Sequence, residues 1–199
     1  MRRIFLIRHG QPDFPDGLPH CIGSADFPLS PLGHEQAKAL AHAFEHEKLS
    51  VFASPLKRAY DTATALSPMP IVIDDLREMH AGDWDGLSFE QIKQRWPELY
   101  EARANNTELP LPNEEDWYEG QRRFLGAVEK ALASCEGDIA IVAHTTVILS
   151  FICHVMQDEG YKSFRWRPDY CGWYTVELDE KGMRCIFPWQ STEGSRNEN

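Results

Sequence analysis

Ile4-Phe5-Leu6-Ile7-Arg8-His9-Gly10 is a short apolar run that ends on an arginine, a histidine and a glycine, and how it is read decides the fold. The pattern recurs twice. Val51-Phe52-Ala53 leads into Ser54-Pro55 and Arg58, and Ile139-Ala140-Ile141-Val142-Ala143 leads into His144-Thr145-Thr146. Val- and Ile-rich runs of this length, each followed by a helical pattern, read as buried strands of a parallel sheet. In open α/β sheets, ligands bind outside the carboxyl ends of the strands. Arg8, His9, Arg58 and His144 are therefore expected to converge on one crevice. That set suits an anion with several oxygens, and phosphate is the first candidate.

Working outward from these strands, Gln11 to Phe27 is irregular and too long for a simple connection, which marks it as functional. Ser30-Pro31 supplies an N-cap and a first-turn proline for a helix with Leu32, Ala39, Leu40, Ala43 and Phe44 on its apolar stripe. A second helix covers Leu56 to Leu66, with Arg58 in its first turn, and Ile71 to Ile73 reads as a third strand. Ser88 with Gln91 forms a capping box that opens a helix through Ile92, Trp96 and Tyr100. After the break at Pro110-Leu111-Pro112-Asn113, a long helix is expected from Glu114 to Ala133. A further helix through Ile148, Phe151, Ile152 and Val155 follows His144. Gly172 to Leu178 and Met183 to Phe187 read as a terminal hairpin.

The fold expected is a three-layer α/β/α sandwich with a mostly parallel mixed sheet. Residues 1–190 form one domain, residues 88–133 are a helical insertion roofing the site, and residues 191–199 are a tail without an apolar anchor.

At 199 residues, 42% hydrophobic and 26% charged, the chain has the size and composition of one globular domain. The formal net charge of -11 argues against nucleic acid and anionic membranes as partners. No apolar stretch reaches the roughly 18 residues of a membrane span, and the four apolar residues after Arg3 are too few for a secretory core. The five cysteines are odd in number and contain no C-x-x-C pair, as expected of reduced thiols in a cytoplasmic protein. The partner expected is a small phosphorylated metabolite; a homodimer is left open.

Hydrolysis of a phosphomonoester needs cations on the equatorial oxygens, a nucleophile in line and an acid for the leaving oxygen. Neutral histidine is a competent nucleophile, and His9 at a strand end fills that place. Arg8 and Arg58 are the cations, and His144 is read as a third positive group. Thr145 offers its backbone N–H to the same oxygens. Glu78, just after the third strand, is the best-placed proton donor.

Taken singly, these residues have plainer readings. His9 is a core histidine, Arg58 a surface helix residue, and Glu78 a helix cap or a partner for Arg77. Arginine, however, is almost never fully buried unless paired, and Arg8 directly precedes His9. His42 and His46 have metal-binding i, i+4 spacing but no third ligand, so they read as a solvated face. Trp84, Trp117, Trp166 and Trp173 are either core or the mouth of the site, and Arg165 and Arg167 are candidates to contact the organic part of an ester.

Four blocks in order resemble the histidine phosphatase superfamily, which includes phosphoglycerate mutase. They are Leu6-Ile7-Arg8-His9-Gly10, the segment from Gly23 through Asp26, Pro28-Leu29-Ser30 and Gly33 to Gln36-Ala37, Ser54-Pro55-Leu56-x-Arg58-Ala59 with Glu78-x-x-x-Gly82-x-Trp84-x-Gly86, and Ala143-His144. The resemblance implies a phosphohistidine on His9, phosphate binding by Arg8, Arg58 and His144, Glu78 as proton donor, and no metal or organic cofactor. Gly23 is placed with the phosphate-binding groups. Thr145 after the second histidine differs from the aspartate of the acid phosphatase branch. Pro12 and Pro15 stand where family members carry polar phosphate ligands, with Gln11 as a substitute, which argues against a mutase. The arrangement is most similar to alpha-ribazole phosphatase and its broad-specificity relatives.

Overall fold

The computed structural model describes residues 1–106, 109–159 and 166–191, without the side chains of residues 187–189. Six strands form one sheet: β1 (Arg2–Arg8), β2 (Leu49–Ala53), β3 (Ile71–Val72), β4 (Asp138–Ala143), β5 (Trp173–Asp179) and β6 (Gly182–Gln190). Their order is β3-β2-β4-β1-β5-β6. The first four are mutually parallel, and β5 and β6 add an antiparallel hairpin beside β1. This is the mixed, mostly parallel sheet expected.

Both faces of the central strands are covered, which is why their sequences are continuously apolar rather than alternating. Ile4 and Leu6 of β1, Phe52 of β2 and Ile139, Ile141 and Ala143 of β4 point to one side. They pack under α5 (Trp117–Ser134) and α6 (Thr145–Met156). Phe5, Ile7, Val51, Ala53, Ala140 and Val142 point to the other side, with α1 (Pro31–Ala43) and α2 (Lys57–Leu66) over them. Period-two alternation of side chains divides one apolar run between two cores.

Helix starts are set by side chains that satisfy free amides. Ser30 accepts from Gly33 N at 3.0 Å before α1, and Asp116 accepts from Tyr118 and Glu119 before α5. Asp26, from the irregular segment, accepts from Lys57 N at 2.7 Å at the start of α2.

Four expectations need correction. The helix through Ile92, Trp96 and Tyr100 is two helices, α3 (Phe89–Arg95) and α4 (Pro97–Asn105). Pro97 lacks the N–H to continue α3 and pushes Trp96 out of helical geometry, to φ -135° and ψ 61°. The long helix begins at Trp117 rather than Glu114 because Asp116 caps it. α5 is also no roof: its inner face, Phe124, Ala127, Val128 and Ala131, belongs to the main core. The separate small cluster is built on Trp84, Ile92 and Leu111 instead. Finally, β3 has two residues, both exposed at the sheet edge, and β6 runs on to Gln190. Of the tail 191–199, residues 192–199 lie outside the described residues.

Candidate active site

Arg8 ends β1, Ser54 follows β2 and His144 follows β4, so the three parallel strands deliver their last residues to one edge of the sheet. His9 and His144 stand there with ring centroids 5.1 Å apart, both buried. Arg58 reaches them from the first turn of α2 and is wholly buried.

The protonation of His9 is readable from its partners. Its Nδ1 lies 2.7 Å from the Gly10 carbonyl, which can only accept, so Nδ1 carries the proton. Nε2 accepts from Arg58 Nε at 3.3 Å and is therefore a bare lone pair. Gly10 itself has no room for a side chain: a Cβ would fall 2.7 Å from the Gly33 carbonyl oxygen. Thr62 fixes the backbone here, accepting from Gly10 N at 2.9 Å while donating to the Arg58 carbonyl at 2.7 Å.

Arg58 is held by three acceptors: His9 Nε2, the Ala25 carbonyl at 2.7 Å and the Gly23 carbonyl at 2.8 Å. These carbonyls are aimed by Asp85. Its carboxylate accepts from the backbone N–H groups of Gly23, Ser24 and Ala25 and from the Ser24 hydroxyl. The Gly23 N–H is thus committed to Asp85 and its carbonyl to Arg58. In the free protein, Gly23 holds the arginine and has no N–H to offer phosphate. A Cβ at Gly23 would lie 2.3 Å from the Met79 carbonyl oxygen and 2.6 Å from Ala81 N, both backbone. Gly23→Ala is expected to cost about 1–3 kcal/mol by overpacking and to lower activity through Arg58; urea unfolding and turnover check the two effects together.

Arg8 lies with its guanidinium carbon 3.9 Å from the Tyr170 ring centroid, and Nη1 donates to the Pro168 carbonyl at 2.9 Å. Its Nε is buried without an acceptor among the described residues, which leaves a donor for a ligand. Tyr170 is also 5.8 Å from the His9 ring.

Glu78 is buried and accepts three backbone amides: Met79 N at 3.0 Å and Val147 N at 3.1 Å on Oε1, and Thr146 N at 3.0 Å on Oε2. It therefore caps α6 from a distance, while Arg77 pairs with Asp75. Burial raises its pKa above the usual carboxyl range, against the three amides and Arg58, which lower it. Arg123 of α5 holds the stretch before it, donating to the Asp75 carbonyl at 2.7 Å and the Arg77 carbonyl at 2.9 Å.

Burial first, then the nearby arginines, hold the imidazoles of His9 and His144 well below the usual histidine range. The charged form of His144 is thus disfavoured in the free protein, in contrast to the positive group expected from the sequence. The sign for stability follows. Below about pH 6.5 the unfolded chain protonates these histidines while the native state does not, so stability present at neutral pH is lost on acidification. Each contributes a slope of about 1.4 kcal/mol per pH unit between that value and its lowered native pKa. Urea unfolding between pH 7.5 and 5 is expected to show this loss, with a shallower dependence in His144→Gln.

The remaining candidates take varied places. Thr145 is the first residue of α6, where an N–H has no intrahelical acceptor. The Gln11 backbone is engaged by Gln36 Oε1 on its N–H and by Ser30 N on its carbonyl. Pro12 is buried and pairs with Leu29, whereas Pro15 is exposed. Trp84 and Trp173 are core residues. Arg167 is exposed, and Arg165 lies outside the described residues. Among the described residues no group of three or more His, Cys, Asp or Glu is arranged to hold a metal ion. No helix is long and apolar enough to cross a membrane, again among the described residues.

Sequence reasoning passed over Ser54, Asp85 and Tyr170 as working residues. Ser54 and Asp85 lay inside recognised blocks but carried no chemistry of their own; Tyr170 had no local signal.

A buried histidine lone pair bonded by Arg58, beside a second buried histidine at one end of a mixed, mostly parallel α/β sheet, is the arrangement the structure presents. The chain belongs to the histidine phosphatase superfamily (branch 1), whose family model matches residues 4–188, and it is a phosphoric monoester hydrolase of that type. It is 32% identical over 160 residues to putative phosphoserine phosphatase 2 of Hydrogenobacter thermophilus, covering 77% of this chain and 78% of that protein. It is 40% identical to the glucosyl-3-phosphoglycerate phosphatase of Mycolicibacterium vanbaalenii over 102 residues, 49% of this chain and 45% of that protein. Among solved structures, the alpha-ribazole phosphatase from Shigella flexneri superimposes with a TM-score of 0.79 at 26% identity, covering 99% of this chain and 100% of that one.

Proposed function

We propose that the protein hydrolyses a small phosphomonoester, without a metal ion, through a phosphohistidine on His9. The observation that carries this reading is the bare Nε2 of His9, kept unprotonated by the Gly10 carbonyl on the opposite nitrogen and by Arg58. Nε2 attacks phosphorus, the P–O bond to the leaving group breaks, and the leaving oxygen takes a proton from Glu78. Oε2 of Glu78 accepts only one amide, which leaves a lone pair for that proton. Arg8 and Arg58 meet the charge on the equatorial oxygens, and the Thr145 N–H adds a neutral donor. Water, deprotonated by the Glu78 carboxylate, then opens the phosphoramidate and restores the free imidazole.

The relatives support a small phosphomonoester as substrate: the chain is similar in sequence to a putative phosphoserine phosphatase and a glucosyl-3-phosphoglycerate phosphatase, and in structure to an alpha-ribazole phosphatase. Alpha-ribazole 5'-phosphate is the first substrate to test. Five free cysteines fit a reducing, cytoplasmic setting. Pro12 and Pro15 bring no side-chain donor to a phosphoenzyme, which favours hydrolysis over a mutase. Mixing the protein with a labelled phosphomonoester and quenching in alkali should trap an acid-labile, base-stable phosphoenzyme. Turnover with no trapped label under single-turnover conditions would exclude the intermediate.

A further inference from the structure

We infer that Ser54 is a positioning residue that selects the Nδ1–H tautomer of His144, so that this ring meets the phosphoryl group as a neutral hydrogen-bond donor. The inference rests on the phosphohydrolase reading of the same pocket.

It comes from counting hydrogens in a dry place. His144 and Ser54 are both wholly buried. His144 Nε2 lies 2.8 Å from Ser54 Oγ, and His144 Nδ1 has no partner among the described residues. Ser54 Oγ also accepts from Leu56 N at 3.3 Å. If Nε2 carried the proton, Ser54 would accept from both nitrogens and its own hydroxyl proton would have no acceptor among the described residues. Nδ1 would at the same time be a buried lone pair without a donor. Two groups would be unsatisfied, each costly in a low-dielectric interior.

If Ser54 instead donates to Nε2, only one group is left over, the Nδ1–H. That remaining group is a donor in a pocket whose ligand is an anion rich in acceptors. The arrangement repeats the logic of His9 with the roles exchanged. At His9 a backbone carbonyl takes the Nδ1 proton and bares Nε2 for attack; at His144 a hydroxyl proton occupies Nε2 and leaves Nδ1–H for binding. Backbone holds the serine in turn: Ser54 N donates to the Val142 carbonyl at 3.0 Å, which ties the residue after β2 to β4 just before His144.

The pocket then has two fixed cations, Arg8 and Arg58, and two neutral donors, the Thr145 N–H and the His144 Nδ1–H. A neutral donor stabilises the phosphoryl oxygens without adding a third positive charge beside His9, where it would raise the cost of the imidazolium-like charge that develops on attack.

The test is the tautomer itself. In the full chain with ¹⁵N-labelled histidine, free of ligand at neutral pH, long-range proton–nitrogen correlation reports which ring nitrogen is protonated; His144→Gln assigns the signals. The expected wild-type spectrum has Nδ1 protonated and Nε2 bare. In Ser54→Ala the Nε2–H form should appear and kcat toward p-nitrophenyl phosphate should fall about tenfold, as for one lost hydrogen bond. A wild-type Nε2–H tautomer would overturn the assignment, and so would Ser54→Ala retaining the wild-type form. The wild-type spectrum alone decides if the variant fails to fold. Absence of phosphatase turnover in the wild type would remove the proposed function while the spectrum still reported on Ser54.

Discussion

His9→Ala is expected to lose p-nitrophenyl phosphate hydrolysis by at least about 10⁴-fold, the scale on which removal of a nucleophile acts as the loss of the whole covalent route. The effect is this large because no neighbour can take over. The second imidazole has one nitrogen held by Ser54, and the arginines have no lone pair to donate. The fold is expected to survive, since the His9 side chain bonds the Gly10 carbonyl and Arg58 Nε, while its tie to the sheet, the backbone N–H donated to the Ala143 carbonyl at 3.1 Å, is kept in the alanine variant. Two readouts separate chemistry from folding. Turnover should vanish, while the protein should still bind vanadate or inorganic phosphate through Arg8 and Arg58. A variant that unfolds at the wild-type urea midpoint yet hydrolyses the ester at the wild-type rate would refute the nucleophile.

The second large effect belongs to Glu78→Gln, whose outcome should depend on the leaving group. An alkoxide needs a proton as the P–O bond breaks, and general acid catalysis is worth about 10²–10⁴-fold. A nitrophenolate leaves without one. Alkyl phosphates such as phosphoserine should therefore slow by two or more orders of magnitude, while activated aryl phosphates slow much less. The amide also turns an NH₂ toward one of the three backbone N–H donors that the carboxylate accepts. A stability loss of about 1–3 kcal/mol should accompany the kinetic change, and comparing ester classes within the same variant cancels it. Equal slowing of both classes would move the acid to another residue.

Much of the fold was legible because it rests on local chemistry. The β1, β2 and β4 runs are apolar on both faces, so they had to be buried central strands, and their sequels had to stand at one sheet edge. The Ser88–Gln91 capping box and the Ser30–Pro31 helix start are short-range signals, and both are present. The misreadings came where a local rule was overridden or under-weighted. Pro97 divides what periodicity joins. α5 reads as roof from the sequence because helical amphipathicity identifies an inner face without saying what that face meets.

From the sequence alone came the family, the strand-end placement of Arg8, His9 and His144, and the candidate nucleophile. These depend on residue type and on neighbours a few positions away. Folding decided the electrostatic state of the site. Whether His144 is charged, which nitrogen of His9 is bare, and how Gly23, Ala25 and Asp85 orient Arg58 depend on groups as much as 90 residues apart in the chain. Charge and tautomer are properties of desolvation and of hydrogen-bond closure, and neither exists until distant segments exclude water together.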